Sequence, residues 1–171
     1  MNRQQLEIII STCGNDIYSF CLYLTKDTLL AEELYQDIFL TAINQDKIDF
    51  AVNPKSYLLG IAVNLWRNRN RKFALRRQKV NAMHISCLET ADIVDEKYDV
   101  DEIVERNEIK ERVRYAVDSL QNKYKIPVLL FYMEEMNISQ IASILKIPQG
   151  TVKSRLYKAR KILEKQLEDI V

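Results

Sequence analysis

The sequence predicts an all-α protein with two small helical domains joined by a flexible, acidic linker. Three observations support this fold class. The 171 residues include only three glycines and three prolines, apolar residues recur with a period of about 3.6 residues, and charge is strongly segregated along the chain. We place the first domain at 1–79, the linker at 80–102 and the second domain at 103–171.

Two helices are predicted before residue 46. The first runs from Leu6 to Leu24, and Asp27 or Thr28 can cap the second, which extends from about Leu29 to Gln45. The inward stripe of the second helix consists of Leu30, Leu34, Ile38 and Ala42, flanked by Thr41. The residues left facing away from the core are Glu33, Gln36, Asp37 and Leu40.

A third helix is predicted after a loop over 46–52. It begins at Asn53-Pro54, in the usual order of a cap followed by a proline. Its apolar contacts are expected from Tyr57, Leu58, Ile61, Leu65 and Trp66. The helix is then expected to fray into the basic run RNRNRKFALRRQK.

The net charge of +1 conceals strong segregation. Residues 51–80 contain no Asp or Glu but many Lys and Arg, residues 89–111 are strongly acidic, and the C-terminal segment is basic again. Two cationic surfaces separated by an acidic connector favour two modules that face nucleic acid.

The cations of the third helix alternate with aromatic and amide side chains. Cations can follow a phosphate backbone, flat rings can stack on unpaired bases and amides can read base edges, so the segment suits single-stranded nucleic acid. The alternative is that Tyr57 and Trp66 belong to the core and the arginines only solubilise the helix.

The second domain is predicted to begin with a helix lined by Val113, Ala116, Val117 and Leu120. Pro127 is expected to open another helix that contains residues 128–132. Steady periodicity is absent from 80–100, which we interpret as the linker.

The segment NISQIASILKIPQGTVKSRLYKARKIL predicts a helix-turn-helix. Asn137 and Gln140 have capping-box spacing, and Pro148 suits the first position of the second helix. The inward stripe of that helix is Val152, Leu156, Ala159 and Leu163. The solvent-facing side of that helix is basic and hydroxyl-rich, as in a helix that enters a major groove. It consists of Thr151, Lys153, Ser154, Tyr157, Lys158 and Lys161. The alternative is an ordinary helical hairpin with solvated lysines.

Nothing in the sequence resembles an active site. There is one histidine, no glycine-rich phosphate loop and no nucleophile paired with a base, so we expect no enzymatic activity and no cofactor. Cys13, Cys21 and Cys87 are expected to be free thiols, although a site of three cysteines and His84 is stoichiometrically possible. Without a long apolar run or a secretion signal, the protein is expected in the cytoplasm.

Three segments resemble the extracytoplasmic-function (group IV) sigma factors of bacterial RNA polymerase. They are LAEELYQDIFLTAI, NPKSYLLGIAVNLWRNRNRK and LQNKYKIPVLLFYMEEMNISQIASILKIPQGTVKSRLYKARKIL. The resemblance covers most of the chain in the right order. It implies a region-2 domain, a flexible linker and a region-4 domain that direct core polymerase to promoters and assist melting, in response to envelope or extracytoplasmic stress. It also implies regulation by an anti-sigma factor and no direct insertion into a membrane.

The resemblance implies three binding surfaces. The first is expected to dock on the clamp helices of the largest polymerase subunit and consists of Glu33, Gln36, Asp37 and Leu40. The residues that capture the unwound −10 strand are Phe50 within the loop from Lys47 to Asn53, Tyr57, Asn64, Trp66, Arg67, Asn68 and Arg71. The residues that read the −35 duplex are Thr151, Lys153, Ser154, Arg155, Tyr157 and Lys158.

The sequence departs from the family pattern at three positions. Tyr57 stands where tryptophan is frequent, and Glu135 and Lys146 stand where glycine is frequent. We expect Lys146 to adopt left-handed geometry unless the turn differs. The acidic linker can act as a nucleic-acid mimic in a polymerase channel, cover the basic surfaces of the free protein, or serve only as a solvated tether.

Two other functions fit parts of the sequence. A stand-alone helix-turn-helix regulator would need a sensing or dimerising first domain, and an RNA-binding adaptor would not depend on polymerase.

Overall fold

The protein folds as two separate all-helical units. A computed structural model describes residues 3–44, 53–81 and 104–168. The chain divides into Met1–Val94, here called unit 1, and Asp95–Val171, here called unit 2. Most of the predicted linker, 80–102, lies outside the described residues, so the domain boundaries and the roles considered for the linker stay predictions.

Three mutually contacting helices form the described part of unit 1. Their bounds are α1 Arg3–Thr25, α2 Thr28–Asn44 and α3 Pro54–Asn81. Asp27 Oδ1 accepts a hydrogen bond from Leu30 N at 2.8 Å, and Asn53 Oδ1 accepts one from Ser56 N at 3.1 Å. The predicted caps of α2 and α3 are therefore confirmed, because each satisfies an amide that has no partner within its helix.

The core of unit 1 follows the predicted stripe with two changes. Leu34, Ile38 and Ala42 are completely buried, whereas Leu30 is only half-buried. Ala31 and Phe39 are buried as well, because α2 contacts both α1 and α3 and therefore buries a face wider than one stripe.

The backbone of α3 does not fray at the basic run. The helix continues through that run to Asn81. The expectation of fraying is therefore wrong. Lys and Arg have good helix propensity, so the basic composition of the run is compatible with a continuous helix.

Unit 2 contains four helices and one π-helical turn within the described residues. Their bounds are α4 Val104–Ser119, α5 Asn122–Val128, the π-helical turn Leu129–Met133, α6 Ile138–Leu145 and α7 Gln149–Gln166. Leu120, Val128 and Ala159 form the centre of a cluster against which Val117, Tyr124, Leu156 and Leu163 pack.

Pro127 does not open a helix; it lies inside α5. A proline lacks the amide hydrogen that would bond to the carbonyl four residues earlier, so α5 lacks one hydrogen bond in the turn before Pro127. The helix nevertheless continues to Val128, and Leu129 N donates to Lys125 O.

After Val128, two backbone hydrogen bonds span more residues than the four of an α-helix. Glu134 N donates to Leu129 O at 3.1 Å, and Met136 N donates to Leu130 O at 3.0 Å. Residues 129–133 therefore form the π-helical turn instead of a new helix.

Two smaller predictions for unit 2 are also wrong. The apolar period of α4 predicts an inward Val113, but this residue is 40% exposed, and among the side chains described in α4, 108–119, the first buried one is Ala116. Pro148 is the N-cap of α7 and not its first residue, with φ −59° and ψ 147°.

Candidate nucleic-acid and protein interfaces

Helix α6 and the turn after it have the geometry of a helix-turn-helix. Asn137 Oδ1 accepts from Gln140 N, and Asn137 N donates to Gln140 Oε1, both at 3.0 Å. This reciprocal pair is the predicted capping box. At the other end Lys146 has φ 54° and ψ 48°, and Ile147 N donates to Ala142 O at 3.1 Å. The left-handed residue ends α6 and lets α7 leave in a new direction.

Helix α7 buries the predicted stripe and exposes its basic side. Val152 and Ala159 are completely buried, and Leu156 and Leu163 are partly buried. Four residues of the predicted duplex-binding set are exposed, namely Lys153, Ser154, Tyr157 and Lys158. Thr151 and Arg155 are half-buried.

The cations of α7 differ in whether they pair with an acidic side chain. Among the residues that the structure describes, Lys153, Arg155 and Lys158 pair with no acidic group. Farther along, Lys161 Nζ lies 2.9 Å from Glu164 Oε2, and this hydrogen bond raises the pKa of Lys161. Lys153, Arg155 and Lys158 are therefore available to a phosphate backbone.

The C-terminal half of α7 borders an apolar groove. Its lining residues are Val128, Tyr132, Arg160, Leu163, Glu164, Leu167 and Glu168. Arg160 Nη2 donates to Tyr132 Oη at 2.9 Å, and this hydrogen bond raises the pKa of the guanidinium. The bond connects α7 to the π-helical turn.

Four of the residues predicted to bind a single strand share one side of α3. At about 100° per residue, Tyr57, Asn64, Asn68 and Arg71 fall within about 60° of each other around the helix axis. Asn64, Asn68 and Arg71 are exposed, Tyr57 is half-buried, and Arg71 Nη2 donates to Asn68 Oδ1 at 3.4 Å. The side carries amides and a guanidinium together.

The remaining residues of that set lie elsewhere. Helical spacing places Trp66 about opposite Tyr57, and its Nε1 atom is inaccessible and has no partner in the described part of the chain. Arg67 is half-buried. Phe50 and the loop from residue 47 to residue 52 lie outside the described residues. The structure therefore does not bring Trp66 to the exposed side of α3.

The outer face of α2 carries the predicted protein-docking residues. Glu33 and Gln36 are exposed, Leu40 is 57% exposed, and Asp37 is partly exposed. Arg69 of α3 contacts this face: its Nη2 lies 2.6 Å from Asp37 Oδ2 and its Nη1 lies 3.6 Å from Glu33 Oε2. Sequence reasoning assigned no role to Arg69. Its spacing of seven residues from the buried Ala62 placed it on the inner side of α3 and could have revealed it.

The two cysteines of α1 are buried and form no disulfide. Cys13 and Cys21 both lie in α1. Burial raises the pKa of Cys21 to about 12, and the nearby positive charge of Arg69 partly opposes this rise. No cluster of three or more metal-ligating side chains occurs within the described ranges. Cys87 and His84, which the considered metal site would need, lie outside them.

Family comparisons match both units. The model for sigma-70 region 2 matches residues 9–79, and the model for sigma-70 region 4 matches residues 110–163. The RNA polymerase sigma factor HrpL of Pseudomonas syringae pv. syringae is 30% identical over 138 residues, which cover 80% of this chain and 73% of HrpL. The ECF RNA polymerase sigma factor SigW of Bacillus subtilis is 28% identical, over 95% of this chain and 88% of SigW. The chain belongs to the extracytoplasmic-function sigma factors of the sigma-70 family.

Solved structures share the fold of this sigma factor. RpoE of Bartonella quintana, crystallised with the anti-sigma factor NepR, gives a TM-score of 0.76 at 21% identity, over 96% of this chain and 98% of RpoE. CnrH, in complex with the cytosolic domain of CnrY, gives a TM-score of 0.68 at 16% identity, over 98% of this chain and 90% of CnrH.

Family membership establishes the general role. The sigma factor serves RNA polymerase in promoter recognition and transcription initiation, and core polymerase and promoter DNA are its partners. Members of this family are transcription regulators and not catalytic enzymes. Within the described residues, no helix is both long and apolar enough to cross a bilayer.

Proposed function

We propose that this sigma factor recognises a two-part promoter, with α7 reading the −35 element as duplex and α3 capturing the −10 element as a single strand. The observation that carries the proposal is the surface of α7. Lys153, Arg155 and Lys158 have no acidic partner in the described residues, and the opposite side of the helix is anchored by Val152 and Ala159.

The −35 contacts combine positioning and reading. A helix held by a buried stripe keeps its outer side chains in register with the groove, and Lys or Arg can contact guanine edges or phosphates. Thr151, Ser154 and Tyr157 add hydroxyl groups beside the cations. The left-handed turn at Lys146 sets the direction in which α7 projects.

The −10 contacts would assist melting. Unstacking a base costs free energy, and this cost is offset only when the separated strand is bound, so a single-strand site favours the open promoter. The exposed side of α3 with Asn64, Asn68 and Arg71 supports this role. Tyr57 is the aromatic residue on the same side, and Phe50 and Arg67 complete the proposed set. Trp66 is a weaker candidate because it lies on the other side of α3.

The α2 face is proposed to dock on the clamp helices of the largest polymerase subunit. Glu33, Gln36 and Asp37 form its polar part, and the exposed Leu40 supplies an apolar contact next to them. When polymerase holds both promoter-binding units, the second contact becomes intramolecular, and two weak contacts act as one strong contact through effective concentration.

Regulation by an anti-sigma factor is proposed by analogy with RpoE, which was crystallised with NepR. In this view an envelope or extracytoplasmic stress releases the sigma factor to cytoplasmic polymerase.

Run-off transcription with purified core enzyme on a random promoter library tests the proposal. We expect initiation only when the protein is added, from promoters that share a two-part sequence. Specific duplex binding by the protein alone at physiological salt, without stimulation of core enzyme, would contradict it and favour a stand-alone regulator.

Substitution of Asp37 by arginine tests the docking face separately. Asp37→Arg places a positive charge beside Arg69 and should abolish association with core polymerase while the fold remains intact. A pull-down with core enzyme measures the association, and the fluorescence of Trp66, the single tryptophan, reports whether unit 1 is folded. Unchanged recovery of core enzyme would remove the α2 assignment.

A further inference from the structure

Arg69 joins α3 to two carboxylates of the α2 docking face. Its Nη2 donates to Asp37 Oδ2 at 2.6 Å, and its Nη1 lies 3.6 Å from Glu33 Oε2. Glu33 and Asp37 are one helical turn apart, so they are neighbours that repel each other when both are ionised. A planar guanidinium with two donor nitrogens can span both carboxylates, which a lysine ammonium cannot do equally well.

The ion pairs occupy only one oxygen of each carboxylate. In the described part of the chain, Asp37 Oδ1 and Glu33 Oε1 have no partner. The side chain of Arg69 is 24% exposed, whereas those of Asp37 and Glu33 are 46% and 65% exposed. The guanidinium therefore lies nearer the core, and the carboxylates lie nearer the solvent.

Arg69 differs from the other cations at this end of α3. Arg71 and Lys72 are exposed, while Arg69 is directed toward α2 and pairs with acids through both Nη atoms. A shallow groove between α2 and α3 is lined by Leu30, Glu33, Arg69, Lys72 and Phe73. Lys72 therefore shares the groove with Arg69 but contacts neither carboxylate in the described structure.

We propose that Arg69 is a positioning residue for polymerase docking, which holds Asp37 and Glu33 in one arrangement with one oxygen of each free for donors on the polymerase. The inference rests on the proposed docking role of α2 and adds the residue that prepares this face. Association normally loses the conformational freedom of the side chains that it orders, and side chains ordered beforehand lose less.

The sign of the effect separates positioning from simple charge. If Arg69 only neutralised the face, its removal would make α2 more negative and would strengthen attraction to a cationic partner. If Arg69 positions the carboxylates, its removal weakens docking although the attraction increases. The direction of the change therefore decides between the two roles.

The experiment measures the Kd of full-length variants for purified core polymerase. We expect Arg69→Gln to raise Kd about tenfold, because two side chains must then be ordered on binding. Arg69→Lys keeps the charge but cannot span both acids, so a rise of about threefold is expected. Lys72→Gln is the matched control: it removes one charge from the same groove and should leave Kd unchanged or slightly lower.

A double-mutant comparison distinguishes positioning from a structural role. In the Asp37→Ala background, Arg69→Gln should cause at most a small further loss, since its main target is absent. A general defect in folding would instead weaken binding equally in both backgrounds and would overturn the inference. Unfolding followed by Trp66 fluorescence identifies such a defect, and Arg69→Lys then carries the test if Arg69→Gln does not fold.

The failure of the inference and that of the docking proposal give different results. If Arg69→Gln binds core polymerase at least as tightly as the wild type while Asp37→Arg does not bind, only the role of Arg69 is overturned. Wild-type protein that does not bind core enzyme, or Asp37→Arg that binds normally, overturns the docking face and the role of Arg69 with it.

Discussion

The two units contain ion pairs of equal length in different surroundings. In unit 1, Arg69 lies 2.6 Å from Asp37, and the side chains are 24% and 46% exposed. In unit 2, Lys125 Nζ lies 2.6 Å from Asp118 Oδ1, and the side chains are 4% and 18% exposed. The comparison teaches that the N···O distance does not predict how much an ion pair contributes to stability, whereas burial does. Loss of an exposed pair costs little, and loss of one partner of a buried pair strongly destabilises the fold.

The unpaired cations extend this comparison. On α3 of unit 1, the half-buried Arg69 is held by acids, whereas Lys153 and Lys158 on α7 of unit 2 are exposed and have no acidic partner within the described structure. A charge held by a neighbour is ordered before binding, whereas an unpaired lysine remains available to release counterions from DNA. Under the proposed roles, similar residues would therefore suit different types of recognition.

The largest expected effect comes from breaking the buried pair. Lys125→Met removes the ammonium but keeps a chain of similar length, so Asp118 remains in a largely buried position without its cation. We expect a loss of about 3 kcal/mol in the free energy of unfolding. Far-UV circular dichroism in urea measures it, with Trp66 fluorescence reporting unit 1 separately.

Two variants control this experiment. Lys123→Met removes an exposed lysine of α5, whose Nζ lies 4.8 Å from the Tyr124 ring centroid, and should cost less than about 1 kcal/mol. Arg69→Gln should likewise cost less than about 1 kcal/mol, because its pairs are with exposed acids. Equal losses for Lys125→Met and Arg69→Gln would contradict the contrast between the units.

Substitutions on α7 test whether the unpaired lysines read bases or only bind phosphate. Lys153→Ala or Lys158→Ala should reduce use of the −35 element, by about 1–3 kcal/mol at one position if the lysine contacts a guanine edge. A phosphate contact would instead weaken binding evenly across sequences and lower the salt slope by about one. Binding to a promoter library by the polymerase complex at several salt concentrations distinguishes these outcomes, and no change in either quantity would exclude both residues.

A pH dependence of stability is expected from the buried thiol of Cys21 in unit 1. Burial raises the pKa of Cys21 from 9.0 to about 12, so the folded state retains a proton that the unfolded chain loses above pH 9. The stabilisation is complete below pH 9 and is lost as the pH rises toward 12. The destabilisation caused by Cys21→Ala should therefore be smaller at pH 10.5 than at pH 8, by about 2 kcal/mol.

The measurement is the urea midpoint followed by Trp66 fluorescence at both pH values. A constant difference between wild type and Cys21→Ala would show that the thiol titrates alike in the folded and unfolded chains.

The smallest effect concerns the turn of the helix-turn-helix. Lys146 has a positive φ of 54°, a conformation in which the Cβ atom is crowded. Lys146→Gly removes this crowding and should stabilise unit 2 by about 0.5–1 kcal/mol, after allowance for the greater freedom of glycine in the unfolded chain. Lys146→Ala retains Cβ and should give no such gain, so equal stability of the two variants in urea would argue against backbone strain.

Much of the local structure could be predicted because it depends on neighbours in sequence. Asp27, Asn53 and the Asn137–Gln140 capping box satisfy amides within three residues, so side-chain type and spacing were sufficient. The stripe of α7 was predicted for a similar reason, since helical periodicity alone places Val152 and Ala159 on one side.

The failed predictions involve contacts between distant segments or a choice between local alternatives. Val113 fits the apolar period of α4, but whether it is buried depends on which helices reach that turn. Pro127 has the same preferred φ at a helix start and inside α5, so the residue type alone does not distinguish the two positions. Trp66 lies in a run of candidate contacts, and only the packing of α3 determines which side remains exposed.

The amino-acid order by itself determined the all-α class, the caps, the helix-turn-helix and the segregation of charge, because these follow from hydrogen bonds and periodicity over a few residues. Tertiary structure alone decided that Arg69 faces Asp37 and Glu33 and that Lys125 is buried against Asp118. The physical reason is that burial and ion pairing depend on which helix packs opposite each side chain. Arg69 and Asp37 are 32 residues apart, and Lys125 and Asp118, only 7 residues apart, lie on different helices.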